Sequence, residues 1–255
     1  MSLLRLVRIE VLKSRRLRIV PILLALVGAV LLFEGAPLFS ASSRAIADDA
    51  SALPWGRLLL SVAMINALLH PILVAVLASR QVDMENTGSG WVLNATAGAR
   101  RGRLLGAKLV LLSLLLGVAC AIQMSALIGI GRLSGITAPL DTGPWALYSF
   151  MLWGVDCVLA AGHVLASARF ENQMIPVGIG LLGAFAAIYL FLSPPALARL
   201  VPWGYYAVID PVRITGTDPV RFEYAEPGTA WFLGLVLLAL IAFVAFARRA
   251  DRIGR

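Results

Sequence analysis

Five polar side chains interrupt long apolar stretches of the sequence, where ionisable or hydrogen-bonding groups are costly and are functional suspects by default. They are Asn66, His70, Gln123, Asp156 and His163. Asp156 and His163 are seven residues apart, which places them on one face of a helix. This pattern indicates a polar path through a membrane or a proton relay. The alternative is that Asp156 binds a neighbouring helix and holds a bundle together, and the spacing leaves both interpretations open.

Enzyme chemistry is not predicted. An intramembrane serine protease needs a serine and a histidine that meet within the bilayer, whereas the Gly-Ser-Gly sequence at 88–90 lies outside the apolar stretches. A phosphate-binding loop needs a glycine-rich turn followed by Lys and then Ser or Thr, and residues 98–103 lack that ending. The sequence also lacks the clustered ligands of a zinc site. We therefore predict a protein that is not an enzyme and holds no metal.

The elements that carry the polar residues are long and apolar. Hydrophobic residues make up 60% of the 255-residue chain and charged residues 14%, against about 45–50% and about 25% in soluble domains. A membrane-spanning helix needs about 20 apolar residues, and a helix satisfies its own backbone groups in lipid. Six stretches qualify: 19–38, 58–78, 104–130, 145–167, 174–193 and 229–247. The sequence therefore predicts an all-α integral membrane protein with six spans in one domain, 1–255.

Charge predicts the orientation of these spans. The side that holds both termini carries 16 of the 22 Lys and Arg residues, and the opposite loops carry 6. Cytoplasmic loops hold the excess of basic residues, so both termini are predicted to be cytoplasmic. Attraction to anionic headgroups explains the basic ends without a nucleic-acid partner. Residues 2–16 predict an amphipathic helix at the membrane surface, with a simple basic flank to the first span as the alternative.

Two connections between the predicted spans are long. In the first, 79–108, we expect the second span to continue as helix to about Asn86, followed by a turn at 88–90 and a short helix at 91–96. An exposed apolar patch at Trp91, Val92 and Leu93 needs a protein or lipid to cover it. The second connection, 194–228, is rich in aromatic residues, which favour the headgroup level. Part of it is expected to be an interfacial helix, and 210–228 is expected to be irregular.

The first connection resembles the cytoplasmic loop of permease subunits of type-2 ABC exporters, nearest the lantibiotic-immunity and bacitracin-type branch. The pattern is Glu85…Gly90-Trp91-Val92-Leu93…Arg100…Leu104-Leu105…Ala107-Lys108. The N-terminal Leu6-Val7-Arg8-Ile9-Glu10-Val11-Leu12-Lys13-Ser14-Arg15-Arg16 is similar to the family's elbow helix. Two further similar stretches are Glu171-Asn172-Gln173-Met174-Ile175 and Pro202-Trp203-Gly204-Tyr205-Tyr206. The likeness covers nearly the whole chain, although Ser89 stands where the family more often has threonine.

The resemblance implies a multi-pass permease of the bacterial cytoplasmic membrane that pairs with a second copy or a homologous permease. A separate dimeric ABC ATPase would bind ATP and Mg, and this chain would bind no cofactor of its own. The pair would export an amphipathic substrate such as a peptide antibiotic, a drug or a lipid, and so confer resistance, with membrane lipid as a further partner. The residues that would couple the permease to the ATPase are Glu85, Gly90, Trp91, Val92 and Leu93.

Two other classes of membrane protein are alternatives. A proton-coupled secondary transporter would use Asp156 and His163 as its relay, and such transporters show internal repeats or interrupted helices. The sequence shows neither feature. A non-transporting membrane scaffold would need neither the apolar loop patch nor polar groups within the spans.

Overall fold

The computed structural model describes residues 2–216 and 220–253, the last of these by its backbone alone. Within these residues it contains six helices long and apolar enough to cross a membrane, which confirms the predicted all-α architecture. The α-helices are α1 (Leu3–Arg16), α2 (Ile19–Gly35), α3 (Ala41–Arg44), α4 (Pro54–Asn86), α5 (Gly90–Thr96), α6 (Arg101–Leu133), α7 (Thr142–Arg169), α8 (Met174–Phe191), α9 (Pro195–Ala198), α10 (Tyr205–Val208) and α11 (Thr229–Ile253). Short 3-10 helices lie at Ala36–Phe39, Ala50–Ala52 and Pro202–Gly204.

Two of the spanning helices are longer than a bilayer requires. Both α4 and α6 have 33 residues, which corresponds to about 50 Å of helix against a hydrocarbon core of about 30 Å. The polar turns that end α4, residues 79–86, and the start of α6 lie at the end of the bundle where the chain begins and α11 finishes, which we call the terminal end. The far end is the opposite one. Helix α5 follows the polar turns of α4, so it lies beyond the apolar stretch of that helix.

Helix α4 forms the centre of the bundle, packed against α2, α7 and α8. Small and branched residues along it are fully buried, namely Val62, Ala63, Ala67, Val74, Ala75, Leu77 and Ala78. Helix α11 lies at the edge against α6 and α7, and it exposes Leu233, Leu237 and Leu240. Exposed apolar side chains on a spanning helix face lipid, which is as apolar as they are.

The far end is closed by connections that bond to one another. The backbone N–H groups of Thr137 and Ala138 donate to the carbonyl of Ala47 at 3.1 and 3.2 Å. The indole of Trp55 donates to the Ala138 carbonyl at 3.0 Å. Because these bonds satisfy backbone groups that leave regular helices, they fix the two connections to the start of α4.

The expectation that 210–228 is irregular is wrong. Strands β1 (Val212–Thr215) and β2 (Arg221–Tyr224) form an antiparallel pair, and residues 217–219 between them lie outside the described part of the chain. β-branched residues in β1 favour extended backbone. Arg213 lies opposite Glu223 in the register, and opposite charges across a strand pair stabilise it.

The contact between α4 and α8 predicts opposite effects for two glycines of α8. A Cβ at Gly180 would lie 3.0 Å from the Pro71 carbonyl oxygen, whereas a Cβ at Gly178 would meet nothing within 4 Å. Gly180→Ala should therefore lower the thermal stability of the detergent-solubilised protein, by about 1–3 kcal/mol for an overpacked contact. Gly178→Ala should leave stability unchanged or raise it by up to about 1 kcal/mol, because alanine favours helix. Equal melting temperatures for the two variants would contradict the close approach.

Candidate functional site

The connection between α4 and α6 turns sharply before α5 begins. Gly88 and Ser89 both have left-handed backbone, with φ of 71° and 58°. The turn folds α5 back onto the end of α4, so that a Cβ at Gly90 would lie 2.7 Å from the Cα of Glu85. Only glycine fits this approach, which explains the residue type at position 90.

Contacts of the Trp91, Arg101 and Asn94 side chains hold helix α5 against the neighbouring helix ends. The Trp91 indole donates to the Asn86 amide oxygen at 2.8 Å, and the Arg101 guanidinium lies 4.4 Å from the centre of the Trp91 ring. The Asn94 amide donates to the Glu85 carboxylate at 2.6 Å. Trp91 is therefore half-buried against its own chain, which corrects the expectation that it is exposed.

The apolar surface that α5 does present consists of Val92 and Leu93, whose side chains are 62% and 63% exposed. They lie on a helix of seven residues, and Val92 lines a groove of about 430 Å³ together with Trp91 and Asp251. The Asp251 carboxylate accepts from the Gly102 N–H at 2.7 Å. This bond satisfies a free backbone N–H in the first turn of α6, and the carboxylate interacts favourably with the dipole of that helix. Because Asp251 belongs to α11, the bond also joins α11 to the start of α6.

Glu85 also belongs to a cluster of four charged residues, Glu10, Lys13, Glu85 and Lys108, which we call the ion cluster. The Lys108 amine is fully buried and donates to Glu10 at 2.7 Å, Glu85 at 3.0 Å and the Gln81 carbonyl at 2.8 Å. Lys13 donates to Glu10 at 2.9 Å and Glu85 at 2.6 Å. An ammonium has three N–H donors, so every donor of Lys108 is used.

The ion cluster joins three separate elements. Glu10 and Lys13 come from α1, Glu85 from α4 and Lys108 from α6. Two carboxylates balance two amines, and burial of charge is tolerated only when charges are paired and hydrogen-bonded. The cluster therefore fixes the positions of α1, α4 and α6 relative to each other.

The environment keeps Lys13 protonated. Burial alone would lower its pKa, but the hydrogen bonds to Glu85 and Glu10 and the negative charges of these two carboxylates together outweigh burial and raise the pKa above 10.5. A raised lysine pKa gives stability that is fully present below the unfolded value and is lost as pH rises through the folded value. The Lys13 contacts are therefore complete throughout the physiological range.

A second polar group lies inside the spanning part of the bundle. The Asp156 carboxylate contacts His70 Nδ1 at 2.8 Å with one oxygen, and it accepts from the Tyr206 hydroxyl at 2.8 Å with the other. Asp156 and Tyr206 are fully buried and His70 is 5% exposed. This network joins α7 and α4 to α10 of the far end.

The two other predicted path residues on α4 and α6 bond to each other. Gln123 donates to the Asn66 amide oxygen at 2.9 Å, and Asn66 donates to the Tyr148 hydroxyl at 3.2 Å. His163 lies beside Gly180 of α8, and among the described residues no hydrogen bond joins it to either network. Gln123 also hydrogen-bonds His70, so the two networks are connected. Together they hold four of the five predicted path residues, and His163 lies apart.

The space around these networks is small. A cavity of about 10 Å³ lies next to His70, Gln123 and Asp156, between α2, α4, α6 and α7. A cavity needs roughly 10–15 Å³ to hold one water molecule. The arrangement therefore binds helices to one another and leaves no room there for a substrate.

Comparison with known proteins identifies the architecture. The family model described as ABC-2 family transporter protein matches residues 6–187. The chain belongs to this family. Membership makes it a multi-pass membrane subunit of the ABC transporter type, a permease rather than the catalytic component. The search of curated proteins found no match.

Several residues of the candidate site were not predicted from the sequence as site residues. Glu10 and Lys13 belong to a segment expected to show its cations to the surface, and Tyr206 to a stretch expected at the headgroup level. One compositional signal exists for the ion cluster. Lys13 and Lys108 are the only two lysines in the chain, against 20 arginines. A compact ammonium with three donors fits a site among three acceptors that a planar guanidinium does not.

The ion cluster predicts a large loss of stability for Lys108→Met. The substitution leaves Glu10 and Glu85 buried with Lys13 alone, and removing one partner of a buried ion pair costs about 3–5 kcal/mol. The melting temperature of the purified permease should fall clearly. The control variant Arg80→Met removes an exposed cation from α4 and should change the melting temperature little. The same small change in both variants would contradict the role of the ion cluster.

The Asp156 network predicts different effects for two adjacent tyrosines. Tyr206→Phe leaves one Asp156 oxygen without its donor, which costs about 1–3 kcal/mol for a buried acceptor. Tyr205 is also buried, but no hydrogen bond among the described residues uses its hydroxyl, so Tyr205→Phe should be near neutral. Thermal unfolding in detergent measures the stability of both variants. A Tyr206→Phe variant as stable as Tyr205→Phe would show that the bond contributes nothing.

Proposed function

We propose that this ABC-2 permease is the membrane subunit of an ATP-driven exporter in the bacterial cytoplasmic membrane, with both termini cytoplasmic. A separate dimeric ATPase binds ATP and Mg and supplies the energy. The cargo is amphipathic, of the class that includes peptide antibiotics, drugs and lipids, as in the lantibiotic-immunity and bacitracin-type branch. Family membership supports the transport role, and the basic terminal side supports the orientation.

The exposed pair Val92 and Leu93 is the observation that carries this proposal. Two apolar side chains more than 60% exposed stand on a short helix that extends beyond the apolar layer. Buried apolar anchors dominate the energy of protein interfaces. We assign Val92 and Leu93 as the contact with the ATPase, and Trp91, Gly90 and Glu85 as the residues that hold α5 in position.

The bonds around Glu85 support transmission of movement from α5 to the spans. Asn94 binds one Glu85 oxygen, while Lys13 and Lys108 bind the other. A displacement of α5 therefore acts on α4 directly, on α6 through Lys108 and on α1 through Lys13. Rigid-body movement of packed helices is a common mechanism of switching, and a shared salt-bridged centre allows the three helices to move as one unit.

The closed interior supports a path that includes a second permease, either another copy or a homologous chain. The cavity beside Asp156 is too small for an amphipathic cargo, so the path forms at a surface of the bundle rather than within it. In such a pair, the residues that hold the helices of each permease together are Asn66, His70, Gln123 and Asp156. The proton-relay alternative is less well supported, because Asp156 bonds to His70 and Tyr206 instead of His163.

Leu93→Asp tests the assignment of the docking contact. A charge in the centre of an apolar contact is desolvated without a partner, so the variant should insert and fold but lose its ATPase. The measurement is co-purification of a nucleotide-binding subunit, identified by mass spectrometry, from detergent-solubilised native membranes. We expect at least a tenfold lower yield of that subunit.

Leu200→Asp is the matched control, because Leu200 is 74% exposed but lies at the far end. It should retain the ATPase at the wild-type level. Trp91→Ala should retain part of the ATPase yet couple its hydrolysis poorly to export, because the contacts of Trp91 with Asn86 and Arg101 that help to fix α5 are lost. Full retention by Leu93→Asp would refute the docking assignment, and export driven by an ion gradient without any ATPase would refute the proposed function.

A further inference from the structure

A cavity of about 250 Å³ opens at the far end of the bundle. It lies between the end of α2, the connection that contains α3, the first turns of α4 and the residues that follow α6. Its polar lining consists of Glu34, Ser42, Ser43, Arg57, Ser61 and Ser134. Neither the ion cluster nor the Asp156 network contributes to it.

Two opposite charges line this cavity without an ion partner. Glu34 is 5% exposed, with Ser61 as its hydrogen-bonding neighbour. The Arg57 guanidinium lies 4.4 Å from the centre of the Phe222 ring, and its buried Nε has no hydrogen-bond partner. Among the residues that the structure describes, neither charge forms a salt bridge, with each other or with any other residue.

A carboxylate as buried as Glu34 is costly unless an ion partner satisfies it, and the half-buried Arg57 also lacks one. The carboxylate and the guanidinium are too far apart to satisfy each other, yet they face the same cavity. A ligand that carries an ammonium and an anion would pair with both. Arginine matches phosphate oxygens well, and charge-assisted hydrogen bonds are about twice as strong as neutral ones.

The surface next to the cavity indicates that the ligand also has an apolar part. Leu32 and Phe33 precede Glu34 on α2, and their side chains are 68% and 63% exposed. On a spanning helix these side chains lie among acyl chains. A molecule whose charged group enters the cavity would therefore have its tail along this face of α2.

We propose that the cavity binds the phosphoethanolamine headgroup of a phospholipid. The ammonium donates to Glu34 and the phosphate accepts from Arg57, while the serine hydroxyls complete the polar contacts. A primary ammonium is favoured over a quaternary one because it has N–H groups for the carboxylate. The site is at the opposite end from α5, so binding does not depend on an ATPase.

Lipid retention by the purified full chain tests this site. The protein is incubated in detergent with equal amounts of phosphatidylethanolamine, phosphatidylglycerol and phosphatidylcholine of the same acyl chains, and bound lipid is counted by native mass spectrometry. Wild type should retain phosphatidylethanolamine about tenfold more than either other lipid, as expected when one charge-assisted contact is lost. Glu34→Gln should abolish the preference, and Arg57→Gln should lower retention of all three lipids.

Two exposed charges of the same connection provide controls. Asp48→Asn and Arg44→Gln lie outside the cavity lining and should retain the wild-type preference. Equal retention of the three lipids by wild type would mean only annular contact and would overturn the proposal, with no variant needed. Displacement of the lipid by soluble phosphoethanolamine at equal concentration would overturn the assignment to a membrane lipid, since the tail would then contribute nothing.

Discussion

The charged amine of Lys108 lies between three helices of this permease with no access to water, and its hydrogen-bonding requirements determine how the helices are arranged at the terminal end. Lys108 has three donors and three acceptors, supplied by Glu10, Glu85 and Gln81. Loss of any acceptor leaves part of a buried charge unsatisfied, so α1, α4 and α6 can shift only together. Through Asn94 the constraint extends to α5, which makes this helix, the proposed contact with an ATPase, part of the same bonded unit.

The spans and the short helix α5 are predictable because their signals are local: hydropathy over about 20 residues, and a glycine turn. The ion cluster is not, since its partners lie up to 98 positions apart. The amphipathic pattern of residues 2–16 also fails to predict which side chains of α1 are buried. On α1 the structure buries Glu10 and exposes Leu4 and Leu12, because a membrane protein can place leucine outward against lipid at no cost and use its interior for paired charges.

The polar residues of the spans were predictable as a set, but their bonding was not. Asp156 and His163 both belong to α7, and their spacing predicts one face of that helix, yet spacing does not determine which neighbouring helix each residue contacts. Asp156 meets His70 and Tyr206, while His163 turns to α8. Tyr206 comes from a connection of short helices and a β-hairpin, where no periodic pattern predicts the direction of a side chain.

The family match ends at residue 187, and the chain beyond it supplies contacts that the matched part needs. Tyr206 donates a hydrogen bond to Asp156, and Phe222 covers Arg57.

The two ends of the bundle differ in whether their charged side chains are paired. At the terminal end every buried charge of the ion cluster is paired within the chain, which suits the proposed transmission of movement from α5. At the far end Glu34 and the half-buried Arg57 face a shared cavity without an ion partner. Folding alone gains nothing from a buried charge that has no ion partner, which favours the proposed ligand.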